Sequence, residues 1–194
     1  ASGSGTARDM NRTVARLGRE FLEALRQYAR LMRLDRPIGI WLLLWPTLWS
    51  VWIAGQGRPR PEVFLVMVLG VIVMRSAGCV INDYADRDLD PHVARTRDRP
   101  LAAGLVAPTE ALVLFAALGF IAIALVLMLD PLAQLLAIVG AALTVVYPFT
   151  KRFFALPQAY LGLAFGFGIP MAFAAQTKGL PAMAWILLLA NIFW

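Results

Sequence analysis

Six apolar runs, at residues 38–54, 63–81, 111–129, 132–149, 156–175 and 180–194, take up most of this 194-residue chain. About 20 residues cross a bilayer as a helix, so the first five are long enough or nearly so. The sixth is still apolar where the sequence stops, as expected of a span that continues in a longer parent protein. Composition agrees: 60% of residues are hydrophobic and only 15% charged, against about half and about a quarter in soluble domains. The expected fold is all-α, a polytopic transmembrane helix bundle. Cys79 is the single cysteine and lies inside an apolar run, which excludes a disulfide framework and marks it as a small packing residue.

The connections orient the bundle. Arg8, Arg12, Arg16, Arg19, Arg26, Arg30, Arg33 and Arg36 precede the first run. Arg87, Arg95, Arg97 and Arg99 follow the second, and Lys151 and Arg152 follow the fourth. The alternate connections hold only Arg58, Arg60 and Lys178. By the positive-inside rule, the N-terminus and the connections after the second and fourth runs face the cytoplasm. The net charge of +6 is explained by these flanking residues, so nucleic acid is not an expected partner. Residues 1–10 read as a flexible tail. In residues 11–36, Val14, Leu17, Phe21, Leu25, Tyr28 and Met32 recur at helical spacing among arginines, the pattern of a basic amphipathic helix lying on anionic headgroups. Residues 37–194 form the transmembrane domain. Trp41, Trp45, Trp49 and Trp52 make a packing or interfacial stripe, Pro46 and Pro170 are expected to kink their spans, and Gly162 and Gly166 permit close helix approach.

The chemistry concentrates at Asn82-Asp83-Tyr84-Ala85-Asp86-Arg87-Asp88-Leu89-Asp90, directly after the second run. Carboxylates at a membrane boundary mark function. Two of them about 6 Å apart repel by roughly 3 kcal/mol at an effective dielectric of about 20, a penalty that a divalent cation removes. Mg²⁺ suits such a site, because it takes carboxylate oxygens and shares its other positions with phosphates. If the span continues as helix, a turn of about 100° per residue puts Asp86, Asp90 and Asp83 within about 100° of Asn82, with Asp88 facing away. Pro91 disfavours the α region for Asp90, so the helix can end there, with Asp90 on the turn. A calcium loop starting at Asp86 fails, because Pro91 stands where Gly is needed and Arg97 where Glu is needed. Downstream, Arg95 and Arg99 suit diphosphate oxygens through bidentate hydrogen bonds, with Arg97 a weaker candidate. Lys151 and Arg152 stand on the same side and can close over an anion. Arg75, about two turns before Asn82, needs a partner, either one of the carboxylates or an anionic substrate group. His92 is the only histidine and reads as incidental.

At these residues the chain resembles the UbiA superfamily of intramembrane aromatic prenyltransferases. The family's N-D-x-x-D-x-x-x-D motif stands as Asn82, Asp83, Asp86 and Asp90, and its YxxxK motif as Tyr147 and Lys151. Within the family, residues 31–39, 44–49, 95–101, 147–152 and 166–175 are most similar to the branch that prenylates 4-hydroxybenzoate for ubiquinone. The resemblance implies a bundle of about nine spans, about six of them present here, in a bacterial inner membrane, with its active site open to the cytoplasm. It implies Mg²⁺ held by Asn82, Asp86 and Asp90 and bridging a polyprenyl diphosphate, with Asp83 in the same catalytic motif. Arg95, Arg99, Lys151 and Tyr147 would then bind diphosphate, and Arg152, Arg75 or Arg36 the carboxylate of 4-hydroxybenzoate. Phe149, Phe153 and Phe165 could shield an allyl cation, and the prenyl tail would lie against helix surface open to membrane lipid. The sequence stops just short of the family's second aspartate motif, so these 194 residues alone are expected to be inactive. A relative using another aromatic acceptor and a membrane transporter remain as alternative readings.

Overall fold

The structure, a computed structural model, describes residues 3–150 and 156–193, with side chains described over 13–149 and 156–193. The described residues are helical, without strands: α1 (Gly3–Leu31), α2 (Ile38–Ala54), α3 (Pro61–Asp86), α4 (Pro108–Val126), α5 (Pro131–Thr150), α6 (Pro157–Gly166), α7 (Gly168–Thr177) and α8 (Ala182–Phe193). Four helices begin on a proline, Pro61, Pro108, Pro131 and Pro157. Proline suits that position because its fixed φ is already helical and its missing N–H has no partner there to lose. Asp130 completes the start of α5, its Oδ1 accepting from the backbone N–H groups of Leu132 and Ala133.

Four stretches among the described residues are long and apolar enough to cross a membrane: Pro61–Asp86, Pro108–Val126, Pro131–Phe149 and Pro157–Thr177. Helices α2 and α8 are apolar but shorter, so the expected six spans appear as four long helices and two short ones. The fourth stretch breaks into α6 and α7 at Phe167. Pro170 has no N–H for the carbonyl of Gly166, and the glycines on either side of Phe167 let the chain turn there. Pro46, by contrast, lies inside an uninterrupted α2.

Helix α3 is central and touches α2, α4, α5 and α7, while α7 also packs on α8. One core joins Val51, Val66, Met67, Ala133, Leu136, Ala172 and Ala175 across α2, α3, α5 and α7. A second ties Leu31 of α1 to Ala77 and Val80 of α3, Ala111 and Leu118 of α4, and Leu101 and Val106 between them. Small residues set the close contacts. A Cβ on Gly166 would come within 2.7 Å of both Leu188 and Asn191 on α8, so the glycine pair read from sequence is where α6 and α8 meet.

Helix α1 begins at Gly3, inside the stretch read as tail, and ends at Leu31. Tyr28 and Leu31 pack on the bundle, while Val14, Leu17, Phe21 and Leu25 on the same stripe are exposed. The four tryptophans of α2 are likewise exposed.

Candidate active site

Helix α3 stops at Asp86, and Asp90 stands on a short 3-10 turn, Asp90–His92. The helical continuation through Asp90 therefore does not form, for the reason Pro91 supplies. The turn still returns Asp90 to the same cluster. Asp90 is buried, as are Asp83 and Thr96. The Thr96 hydroxyl donates to the Asp90 carbonyl, which fixes the turn from behind. Asp88 is exposed in the turn beyond the end of α3 and pairs loosely with Arg87.

Asp83 is the most enclosed acid of the group, at 1% exposure. Arg33 Nη2 donates to both of its oxygens, at 3.0 and 2.8 Å. Arg99 Nη1 donates to Asp83 Oδ1 at 3.0 Å and to Asp90 Oδ2 at 2.8 Å. Two acids and two arginines thus form a chain, Arg33–Asp83–Arg99–Asp90. Breaking a buried pair of this kind leaves an uncompensated charge and costs about 3–5 kcal/mol. Asn82 and Asp86 stand beside it half-buried, the Asn82 amide 3.5 Å from Asp86 Oδ2.

The contact of Arg33 is not evident in the sequence, where it is one more arginine ahead of the first apolar run, fifty positions from its partner. Its backbone shows what the pattern hides. At the end of α1, Arg33 N–H bonds to Arg30 O, and Leu34 N–H reaches back to Ala29 O. This is a Schellman motif with Arg33 at the left-handed position, φ 59°, where glycine is the usual residue. A side chain held there costs on the order of 1 kcal/mol, so the Asp83 pair is kept against a local strain.

These groups stand at one end of a cavity of about 840 Å³. Arg33, Asn82, Asp83, Asp86, Asp90, Arg95 and Arg99 line its polar end. From there it follows α3 back to Val66, about 30 Å at 1.5 Å per residue, between apolar side chains of α3, α4, α5 and α7. Ile123 and Ile138 on its lining are exposed at the bundle surface.

Between the polar end and the apolar trough lies Arg75. Its guanidinium stands over the Phe165 ring at 5.8 Å and touches Cys79 Sγ. Its Nε is buried without a hydrogen-bond partner among the described residues. Space for it comes from Gly39 on α2, where a Cβ would fall 2.5 Å from the guanidinium. No carboxylate pairs with it among the described residues.

Of the expected site residues, Asn82, Asp83, Asp86, Asp90, Arg95, Arg99, Tyr147 and Arg75 all line this one cavity. Tyr147 stacks on Tyr160, ring centroids 5.8 Å apart. Phe165 also lines the cavity, whereas Phe149 is exposed outside it. Arg36 does not join them. It sits in the turn after α1, exposed and 3.9 Å from Asp35. Lys151, Arg152 and Phe153 lie outside the described residues.

The fold and this site define an intramembrane helical bundle enclosing a chamber with an ionic mouth and an apolar depth. The chain belongs to the UbiA prenyltransferase family, which matches residues 43–194. It is 60% identical over 174 residues to a protein of Nitrosomonas eutropha named 4-hydroxybenzoate octaprenyltransferase, covering 90% of this chain and 61% of that one. It is 62% identical over 167 residues to the protein of that name from Methylococcus capsulatus, covering 86% and 57%. The chain therefore spans about 60% of the length of the curated relatives it matches. Among solved structures, a UbiA homologue from Aeropyrum pernix K1 aligns with TM-score 0.69 at 28% identity, covering 80% of this chain and 59% of that one. A homologue from Archaeoglobus fulgidus, described as bound to GPP and Mg²⁺, shares the fold with TM-score 0.70 at 18% identity, covering 86% and 60%.

Proposed function

We propose that this chain supplies one metal–diphosphate end, and much of the prenyl trough, of an enzyme that transfers a polyprenyl group to the ring of 4-hydroxybenzoate. The observation that carries the reading is the placement of the ionic chain Arg33–Asp83–Arg99–Asp90, beside Asn82 and Asp86, at the mouth of the long apolar cavity. A polyprenyl diphosphate has that same division, a multiply charged anionic head on an apolar chain. The names of the relatives support the acceptor, and ubiquinone formation is the corresponding use.

The donor set fits Mg²⁺. Asn82, Asp86 and Asp90 offer hard oxygens. Among the described residues no three His, Cys, Asp or Glu side chains converge into a ready-made cage. An incomplete oxygen set of this kind suits Mg²⁺, which keeps positions for water and phosphate. When bound, the metal supplies Lewis-acid neutralisation of the departing diphosphate. The residues of the chain do the rest. Arg95, exposed at the rim, meets the phosphate oxygens, and Arg99 exchanges Asp90 for the diphosphate, which would leave Asp90 Oδ2 free as one of the oxygens that hold the metal. Tyr147, on the cavity lining, and Lys151 are further candidates for binding the diphosphate. Arg75, with a buried donor left unpaired, takes the carboxylate of the acceptor and turns its ring toward the allylic carbon. Arg152 is a second candidate for that carboxylate. Once the allylic C–O bond breaks, the ring attacks beside its hydroxyl and then loses its ring proton. The face of Phe165 shields the cation. The site faces the cytoplasm of a bacterial inner membrane, and the basic amphipathic α1 rests on anionic lipid beside it.

The test is transfer of a labelled prenyl group to 4-hydroxybenzoate by the whole protein in native membranes. Product should form with Mg²⁺, vanish with a chelator, and be suppressed competitively against 4-hydroxybenzoate by other aromatic carboxylic acids. Metal-independent transfer, or preference for an acceptor without a carboxylate, would refute the reading.

A further inference from the structure

We infer that Arg33 is a positioning residue of the diphosphate site, acting through Asp83 to set Arg99. The inference rests on the reading just given and adds a residue from the far end of the ionic chain. Three independent observations support it. Arg33 holds a left-handed backbone at a helix end that glycine would occupy without strain. Its guanidinium engages both oxygens of an acid that is otherwise sealed from water. The same acid holds Arg99 by the Nη1 that also reaches Asp90.

The geometry divides the labour. Arg99 stands between two carboxylates. If Asp83 turned away, Arg99 would keep only Asp90, and the two would form a closed pair across the mouth. With Arg33 fixing both oxygens of Asp83, Asp83 Oδ1 remains aimed at Arg99 when Asp90 is drawn to a metal. Asp83 is thus the pivot on which Arg99 turns between Asp90 and a diphosphate, and Arg33 is the clamp that holds the pivot. Arg33 stands in the turn after α1 and Asp83 on α3, so the clamp also fixes the end of α1 to the site.

The experiment uses the whole protein in lipid nanodiscs, with Arg33→Gly, Arg33→Lys, Asp83→Asn and the Arg33→Gly/Asp83→Asn double variant. Arg33→Gly relieves the backbone but leaves the buried Asp83 carboxylate with Arg99 alone, so its thermal midpoint should fall, and binding is compared per folded protein at a temperature where parent and variant are both folded. The readouts are Mn²⁺ binding by electron paramagnetic resonance, with and without an unreactive prenyl thiodiphosphate, and the KM values for both substrates. Arg33→Gly should weaken diphosphate-dependent Mn²⁺ binding at least 10-fold and raise KM for the prenyl diphosphate similarly. KM for 4-hydroxybenzoate should move less than 2-fold. Arg33→Lys should recover part of the loss, and the double variant should be no worse than the poorer single. Uniform losses that track the folded fraction, or fully additive single effects, would overturn the inference. Should Arg33→Gly fail to fold, the isosteric Asp83→Asn carries the same expected rise in KM for the diphosphate, and an unchanged KM would overturn it. Asp86→Ala separates the two levels. If it leaves Mn²⁺ binding intact, the metal reading fails. If it abolishes binding while Arg33→Gly is silent, only the role of Arg33 fails.

Discussion

The two ends of the bundle are built differently. At one end the α3–α4 connection folds into a 3-10 turn and a loop anchored by buried Asp90 and Thr96 and held by Arg33, Asp83 and Arg99. At the other, the chain reverses in short turns at 55–60, 127–130 and 178–181. The polar groups there serve the backbone. Arg60 donates to the Ala175 carbonyl and to Gln176, and Asp130 caps α5. Charge that ends on backbone groups stabilises a turn. Charge that ends on other charge, beside a cavity, is costly to keep unless it acts on a ligand. The contrast locates function without reference to motifs.

The sharpest way to break the contrast lies within the acidic segment. Asp86→Ala should abolish prenyl transfer, at least 10³-fold, while membrane yield and thermal midpoint stay near those of the parent. Residual activity above a tenth would move the metal away from Asp86. Asp83→Ala should act first on folding, since it strands Arg33 and Arg99 and costs about 3–5 kcal/mol. Thermal unfolding in detergent reads that loss directly, and a midpoint equal to that of the parent would deny the ionic chain its structural role. Gly39→Ala should be milder and more specific. The new methyl must displace the Arg75 guanidinium, so KM for the aromatic acid should rise about 10-fold, roughly 1.4 kcal/mol, with KM for the diphosphate unchanged. At the opposite end, Gln176→Ala should cost about 1 kcal/mol of stability and leave both KM values alone. Asp88→Asn, on an exposed carboxylate, should fall within about 0.5 kcal/mol of the parent in stability and match it in activity.

Much of this was legible in sequence, for reasons that differ by element. The apolar runs gave the helices, while the prolines that open four of them appear as boundaries only in the structure. Asp88 was expected to face outward on a continuing helix; it is exposed, but in the turn beyond the end of α3. Asp90 was legible only as far as Pro91 allowed: the ladder ends at Asp86, and a turn stabilised by Thr96 does what the helix was expected to do. The break at Phe167 needed three local features together, two glycines and Pro170, none decisive alone. The choice between Arg33 and Arg36 was not legible. Both follow α1 in the same basic stretch, and only the left-handed turn at Arg33 sends one guanidinium inward to Asp83 while the other stays in water. Arg75 was visible as a charge inside a span, but the glycine that makes room for it lies on another helix.

The most direct measurement is a structure of the whole protein with Mg²⁺ and an unreactive prenyl diphosphate. The account expects metal at about 2.1 Å from oxygens of Asn82, Asp86 and Asp90, Arg99 turned from Asp90 to the diphosphate, and the prenyl chain along α3 toward Val66. A diphosphate bound elsewhere, with the Arg99–Asp90 pair intact and the trough empty, would contradict it.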